Sequence, residues 1–234
     1  MRSLDKRDAC RHRLRSKGVL RLRDYLLHSW LRVTFPSIQL NPSYNNGAGV
    51  LRTNLTVRWT QNLMHNLIKE CNVTFNDLVA ARFDNYHLDF WSAFTVPASK
   101  QTGYNNMIGN TSNLTSPQNK GQVSVGGVAL PDLPSVTLNL PLPFFYTRDS
   151  GVALPTAALP YNEMRINFSL RDWSELLIVE QLTSASTEQR TAILVGSDVS
   201  KHLVAAPVLS NVQVWANYAI VSNDERKRMA CAPR

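Results

Sequence analysis

Four prolines between Leu140 and Phe168, at Pro141, Pro143, Pro155 and Pro160, punctuate two stretches of apolar alternation and restrict the chain to a fold built from antiparallel strands. Proline has no backbone N–H to give to a ladder, so within sheets it is confined to edges, strand starts and bulges. Ahead of and across the first prolines, Val136, Leu138, Leu140, Leu142 and Phe144 alternate with Ser135, Thr137 and Asn139. Beyond the last one, Met164, Ile166, Phe168 and Leu170 alternate with Arg165, Asn167, Ser169 and Arg171. A period of two places each apolar set on one face of a strand.

The same period recurs along the chain. Tyr25, Leu27, Leu31, Val33 and Phe35 are expected to share a buried strand face interrupted only by Ser29, with Leu26 and Trp30 on the opposite face. Residues 41–49 carry Asn and Gly suited to positive φ, and a second strand is predicted through Leu55, Val57 and Trp59. Short strands are predicted at 176–179, at 192–195 and through Val212, Val214, Ala216, Tyr218 and Ile220, at spacings typical of a sandwich. Between residues 75 and 94 the period lengthens. Phe75, Leu78, Val79, Phe83, Tyr86 and Phe90 recur every three or four residues, which predicts a helical insertion whose apolar stripe faces the core, with Thr74 and Asp77 at its start. Residues 103–134, rich in Asn, Ser, Gly and Pro, read as a long surface loop.

Composition narrows the function. The chain of 234 residues is 44% hydrophobic and 18% charged, enough apolar content for one sizeable core and too little charge for disorder. The net charge of +8 would suggest a nucleic-acid binder, but it is not spread along the chain. Nine Lys and Arg against Asp5 and Asp8 put +7 into the first 23 residues and leave +1 for the rest. A basic arm reaching phosphate is therefore one reading of residues 1–23, and a disordered or out-of-frame opening is the other. Cys10, Cys71 and Cys231 form no even framework or paired zinc spacing and are expected to be free thiols. Sequons occur at Asn54, Asn72, Asn110, Asn113 and Asn167, a motif that matters only on a secretory route.

No reactive constellation is predicted. His12, His28, His65, His87 and His202 lie far apart in the sequence with no metal-ligand spacing. Ser150 follows Arg148 and Asp149 but lacks a nucleophile elbow, so Ser150 and Gly151 read as turn formers and the two charges as a local or inter-subunit ion pair. Gly126-Gly127 is followed by no Lys-Ser/Thr, so no phosphate loop is expected. The expectation is a protein that is not an enzyme, with no catalytic, cofactor-binding or metal residues, no cofactor and no small-molecule substrate. No run approaches the roughly 20 apolar residues of a membrane-spanning helix.

Several strings are more specific than any of these patterns. Asp24-Tyr-Leu-Leu-His-Ser-Trp-Leu-Arg-Val33, Val57-Arg-Trp-Thr-Gln-Asn-Leu-Met-His-Asn66, Gly103-Tyr-Asn-Asn-Met-Ile-Gly-Asn-Thr-Ser112, the proline-punctuated run and Ile220-Val-Ser-Asn-Asp-Glu-Arg226 follow one another in the order seen in the major capsid proteins of iridoviruses and related nucleocytoplasmic large DNA viruses, which the chain resembles. That resemblance implies an all-β fold, an antiparallel jelly-roll sandwich with a short helical insertion, forming the incomplete N-terminal half of a double jelly roll. It implies residues 24–234 as the N-terminal jelly-roll capsid domain, a second jelly roll absent, and residues 1–23 unlike the family. It further implies a structural subunit of the icosahedral virion shell, a late protein assembled in the host cytoplasm. Its expected partners are copies of itself as a homotrimer in the full-length form, neighbouring capsomers and minor capsid proteins, while a chain of this length alone is expected to build no regular capsomer. A jelly-roll carbohydrate-binding module using loops such as 103–116, and nucleic-acid binding through the basic arm, are the alternatives.

Overall fold

The computed structural model describes residues 25–41, 55–119, 124–125, 128–129, 131–158, 163–182, 190–193 and 199–230. The arginine-rich opening, all but Asn41 of the turn predicted over 41–49, Gly126-Gly127, Asn54, Cys10 and Cys231 lie outside the described residues. Among the described residues, twelve strands and five α-helices follow in chain order: β1 (Tyr25–Phe35), β2 (Leu55–Trp59), α1 (Leu63–Leu67), β3 (Ile68–Phe75), β4 (Leu78–Phe83), α2 (Asn85–Thr95), α3 (Ala98–Ile108), α4 (Ser112–Thr115), β5 (Ser124–Val125), β6 (Val128–Ala129), β7 (Val136–Pro141), β8 (Leu154–Pro155), β9 (Met164–Leu170), β10 (Leu177–Leu182), β11 (Arg190–Ile193), β12 (Ser210–Ala219) and α5 (Asn223–Ala230).

Every ladder among them is antiparallel. One sheet runs β12-β1-β7, with β8 paired to the start of β1, and two three-stranded sheets run β11-β10-β2 and β4-β3-β9. Their inner faces share one apolar core. Phe35 of β1 meets Trp59 of β2 edge to face at 5.5 Å between ring centroids, and Phe83 of β4 meets Phe144, just after β7, at 5.1 Å. Leu31, Val33, Phe35, Leu55, Val57, Trp59, Leu138, Leu140, Leu177 and Val179 are all buried in that cluster, as the alternation predicts. The architecture is the expected antiparallel sandwich.

The first strand departs from a single parity. Leu26 is 2% exposed, while Leu27 is only half-buried, because the β1–β12 register slips between Leu26 and His28. The extra residue of a bulge reverses which side chains face inward, so Leu26 and Leu31 lie on the same side despite their odd spacing. Ser29 stays on the buried face, where its hydroxyl is 2.8 Å from the Tyr146 hydroxyl and both polar groups are satisfied. At the other end of the chain, Ile220 falls just beyond β12 and is 75% exposed, outside the face predicted for it.

The predicted helix over 75–94 is replaced by two elements. Asn76 and Asp77 adopt φ of +48° and +69° and close a two-residue hairpin between β3 and β4. Two consecutive left-handed residues match the right-handed twist of the flanking strands, and Asn and Asp tolerate that conformation better than most residues. Asp77 therefore pairs with Arg165 across the sheet instead of taking part in a helix cap. The helix begins later, at Asp84, whose carboxylate accepts from the His87 N–H at 2.8 Å.

Residues 103–115, the first part of the predicted loop, are likewise mostly helical. α3 opens after Pro97, tolerated where the first N–H groups have no helical partner, and closes at Gly109 with φ of +84°. α3 and α4 bury Ile108 and Leu114, with α3 covering the β7 side of the first sheet and α4 packed against β2, so the helical insertion runs from α2 to α4 and is longer than expected. Covering an edge strand blocks unwanted pairing there. Gly109 sits against the sheet, and a Cβ built on it would lie 2.5 Å from Leu138 Cδ1. Gly109→Ala is expected to cost about 2 kcal/mol or more from left-handed strain and overpacking. A urea unfolding midpoint equal to that of the parent chain would refute this account of the α3–β7 seam.

Candidate functional site

The singled-out residues separate into core, surface and one network. Trp59 is fully buried, as a core residue should be. Arg148 does not pair with Asp149: its guanidinium lies over the Trp91 ring at 5.4 Å, while Asp149 accepts from the Gly151 N–H and caps the short turn at Ser150–Val152. Asn72 and Asn167, both within sequons, face each other across β3 and β9, with Asn167 Nδ2 donating to Asn72 Oδ1 at 2.9 Å. Cys71 is a buried free thiol, its pKa pushed up by burial and then by Glu70. Among the described residues no three His, Cys, Asp or Glu side chains gather as a metal group. No helix among them is long and apolar enough to cross a membrane.

The network centres on His65, which sequence spacing leaves isolated. α1 places His65 wholly inside, α2 brings Asp89 to its Nδ1 at 2.5 Å, and α3 brings the Tyr104 hydroxyl to its Nε2 at 2.7 Å. Asn62 adds a hydrogen bond to the same Asp89 oxygen at 3.1 Å. A carboxylate only accepts, so Nδ1–H donates to Asp89 and Nε2 accepts from Tyr104 O–H, an assignment made from the partners. The order Asp–His–hydroxyl has the form of a nucleophile relay. Burial and then Asp89 push the Tyr104 phenol up to about 12, which keeps it protonated as the donor to His65 Nε2. The three side chains instead tie three helices together at one point.

Beside that tie lies a cleft of about 570 Å³ between the first sheet and the helices. Trp30 and Pro141 of the sheet, Leu142, Leu88 and Trp91 of α2, and Met107 of α3 provide its apolar wall, and Ser92, Tyr104 and Asn139 its polar points. The outer face of α2 carries Tyr86, Phe90 and Phe94, which are 75%, 59% and 75% exposed, and in β4 Leu78 and Val79 are exposed as well. The predicted stripe thus points to solvent for most of its length, with Phe83 alone fully inside. Its three- and four-residue spacing carries no information about which way a helix turns, and Leu88, outside the stripe, supplies the contact with the core. Residues 103–116, considered above for sugar binding, fall largely within α3 and α4.

Burial sets the pH response of the network. Desolvation lowers the His65 pKa below the ordinary 6.5, opposed by Asp89. The unfolded chain therefore binds more protons than the folded one between the depressed value and 6.5, and stability falls as pH drops through that window. Urea unfolding at pH 7.5 and 5.5 is expected to show this loss in the parent chain and a flatter response in His65→Gln. Equal pH slopes would remove His65 as its source.

Comparison with known proteins completes the picture. Residues 13–221 match the family described as Major capsid protein N-terminus, a span that includes part of the arginine-rich opening. The chain is 58% identical over 219 residues to the major capsid protein of Wiseana iridescent virus, covering 94% of this chain and 42% of that protein. It is 46% identical over 222 residues to that of Lymphocystis disease virus 1, with 94% and 43% covered. The chain thus spans less than half the length of these relatives. Among solved structures, the Faustovirus major capsid protein superposes with a TM-score of 0.58 at 14% identity, covering 88% of this chain and 51% of that one. A quasi-atomic model of the PBCV-1 virus capsid superposes with a TM-score of 0.55 at 16% identity, covering 91% and 39%. The shared fold is the jelly roll of viral capsid proteins. With identity this high over nearly its whole length and a family match across most of it, the chain belongs to the major capsid protein family.

Proposed function

We propose that this chain acts as a structural subunit of an icosahedral virion shell and contributes the N-terminal jelly roll of a two-jelly-roll capsid protein. The observation that carries this reading is the 58% identity to a major capsid protein across 94% of the chain. The described residues suit the role. Antiparallel sheets packed on a common core make a stiff block, and stiffness lets modest contacts repeat without distortion. Contacts between identical subunits close a surface through symmetry, so no single interface has to be strong.

In this reading the full-length subunit forms homotrimeric capsomers that meet neighbouring capsomers and minor capsid proteins, and assembly takes place in the host cytoplasm. No cofactor or small substrate takes part, and no side chain acts as a catalyst. Gold-labelled antibody raised against the 234-residue chain is expected to decorate the shell of intact virions of the source virus. Labelling confined to soluble fractions, with bare particles, would contradict the assignment.

A further inference from the structure

The two apolar features of the helical insertion lie on opposite faces of one helix. At 100° per residue, the cleft-lining Leu88, Trp91 and Thr95 are centred roughly 130° from Tyr86, Phe90 and Phe94. A protruding apolar group and a receptive apolar cleft at different places on one molecule favour a head-to-tail contact between copies, because neither feature can satisfy the other within a single chain. We propose that Phe90 and Phe94 of one copy seat in the cleft of the next, between Trp30, Trp91 and Met107. The inference rests on the shell-subunit reading and names the surface that such a subunit uses.

Three observations support this occupant. Residues 85–119 hold only two charged side chains, Asp89 and Lys100, in a chain that is 18% charged, and Asp89 is already engaged by His65 and Asn62. Depletion of charge together with aromatic and Met enrichment marks the core of protein interfaces. The rings of Phe90 and Phe94 lie 4.5 Å apart, so they present one compact knob, and no carboxylate lines the cleft that would have to be desolvated to receive it. Tyr86, Phe90 and Phe94 together expose roughly 400 Å², taking about 200 Å² for each ring at full exposure. That is near half of the ~800 Å² each partner contributes to a stable interface, and the cleft on the other side of the same helix adds to it. A contact of this kind leaves one knob and one cleft free on every pair, so it continues until a rotation axis closes it.

The test uses two variants of the chain, Phe90→Ser with Phe94→Ser to remove the knob, and Met107→Trp to fill the cleft. All three altered positions are partly or largely exposed, and circular dichroism verifies that each variant folds. Sedimentation velocity over a concentration series is expected to show association of the parent chain and at least a tenfold weaker association of either variant alone. An equimolar mixture of the two variants is expected to regain one contact, between the intact knob of one and the intact cleft of the other, and to stop at a heterodimer. Parent-like association of the knob variant, or a mixture of folded variants that does not pair, would overturn the inference. So would a parent chain that stays monomeric up to its solubility limit, a result that would assign the stripe to polypeptide outside this chain. Shell labelling combined with any of these results removes this contact and leaves the shell reading standing, whereas unlabelled shells with intact pairing do the reverse.

Discussion

Exclusion of water between the inner face of β1 and the strands opposite it is the condition on which the rest of the molecule depends. β1 is hydrogen-bonded on both sides, to β12 along one edge and to β7 and β8 along the other, so its backbone is satisfied and its side chains are fixed in register. Leu31, Val33 and Phe35 then have one direction to face, and Phe35 reaches Trp59 on the other layer. Removing a buried aromatic ring from such a contact costs about 3–5 kcal/mol, a large fraction of the net stability of a domain. The bulge at Leu27 and the Ser29–Tyr146 hydrogen bond adapt the strand to that packing.

The helical insertion obeys different physics. Its boundaries are set locally, by Asp84 at the start of α2, Pro97 between α2 and α3 and Gly109 at the end of α3. Its position is set by one buried polar tie, in which His65 holds Asp89 and Tyr104 from separate helices. A satisfied hydrogen-bond network around a buried imidazole fixes geometry more sharply than apolar contact, because any other arrangement strands a donor or an acceptor of the ring. The helices are thereby held rigidly over the β7 edge, with one face of α2 lining a cleft and the other presenting aromatic rings to solvent. Stiff sheet and fixed projection together give a block with defined contact points.

Period-two segments were legible because a half-buried strand imposes its own geometry on the choice of residues. Val136 to Leu140 and Leu55 to Trp59 could be assigned to a face with no knowledge of their partners. The stripe from Phe75 to Phe90 misleads for the complementary reason. Its spacing fits a helix, but two residues in the left-handed region at Asn76 and Asp77 turn its first part into a hairpin, and tertiary packing overrides periodicity there. The α3 helix was missed because Asn, Ser and Gly are weak helix formers, and its stability comes from docking Ile108 and Tyr104 rather than from propensity. His65 had no sequence signal at all, since its partners lie 24 and 39 residues away.

By itself the sequence determined the class of fold, the strands that carry the core and the family, because alternation and long ordered strings are properties of the chain read along its length. Tertiary structure alone decided which apolar residues stay outside, where the parity of β1 reverses and which polar groups meet. Those outcomes depend on contacts between distant segments, and a side chain's environment is set by what packs against it, not by its neighbours in sequence.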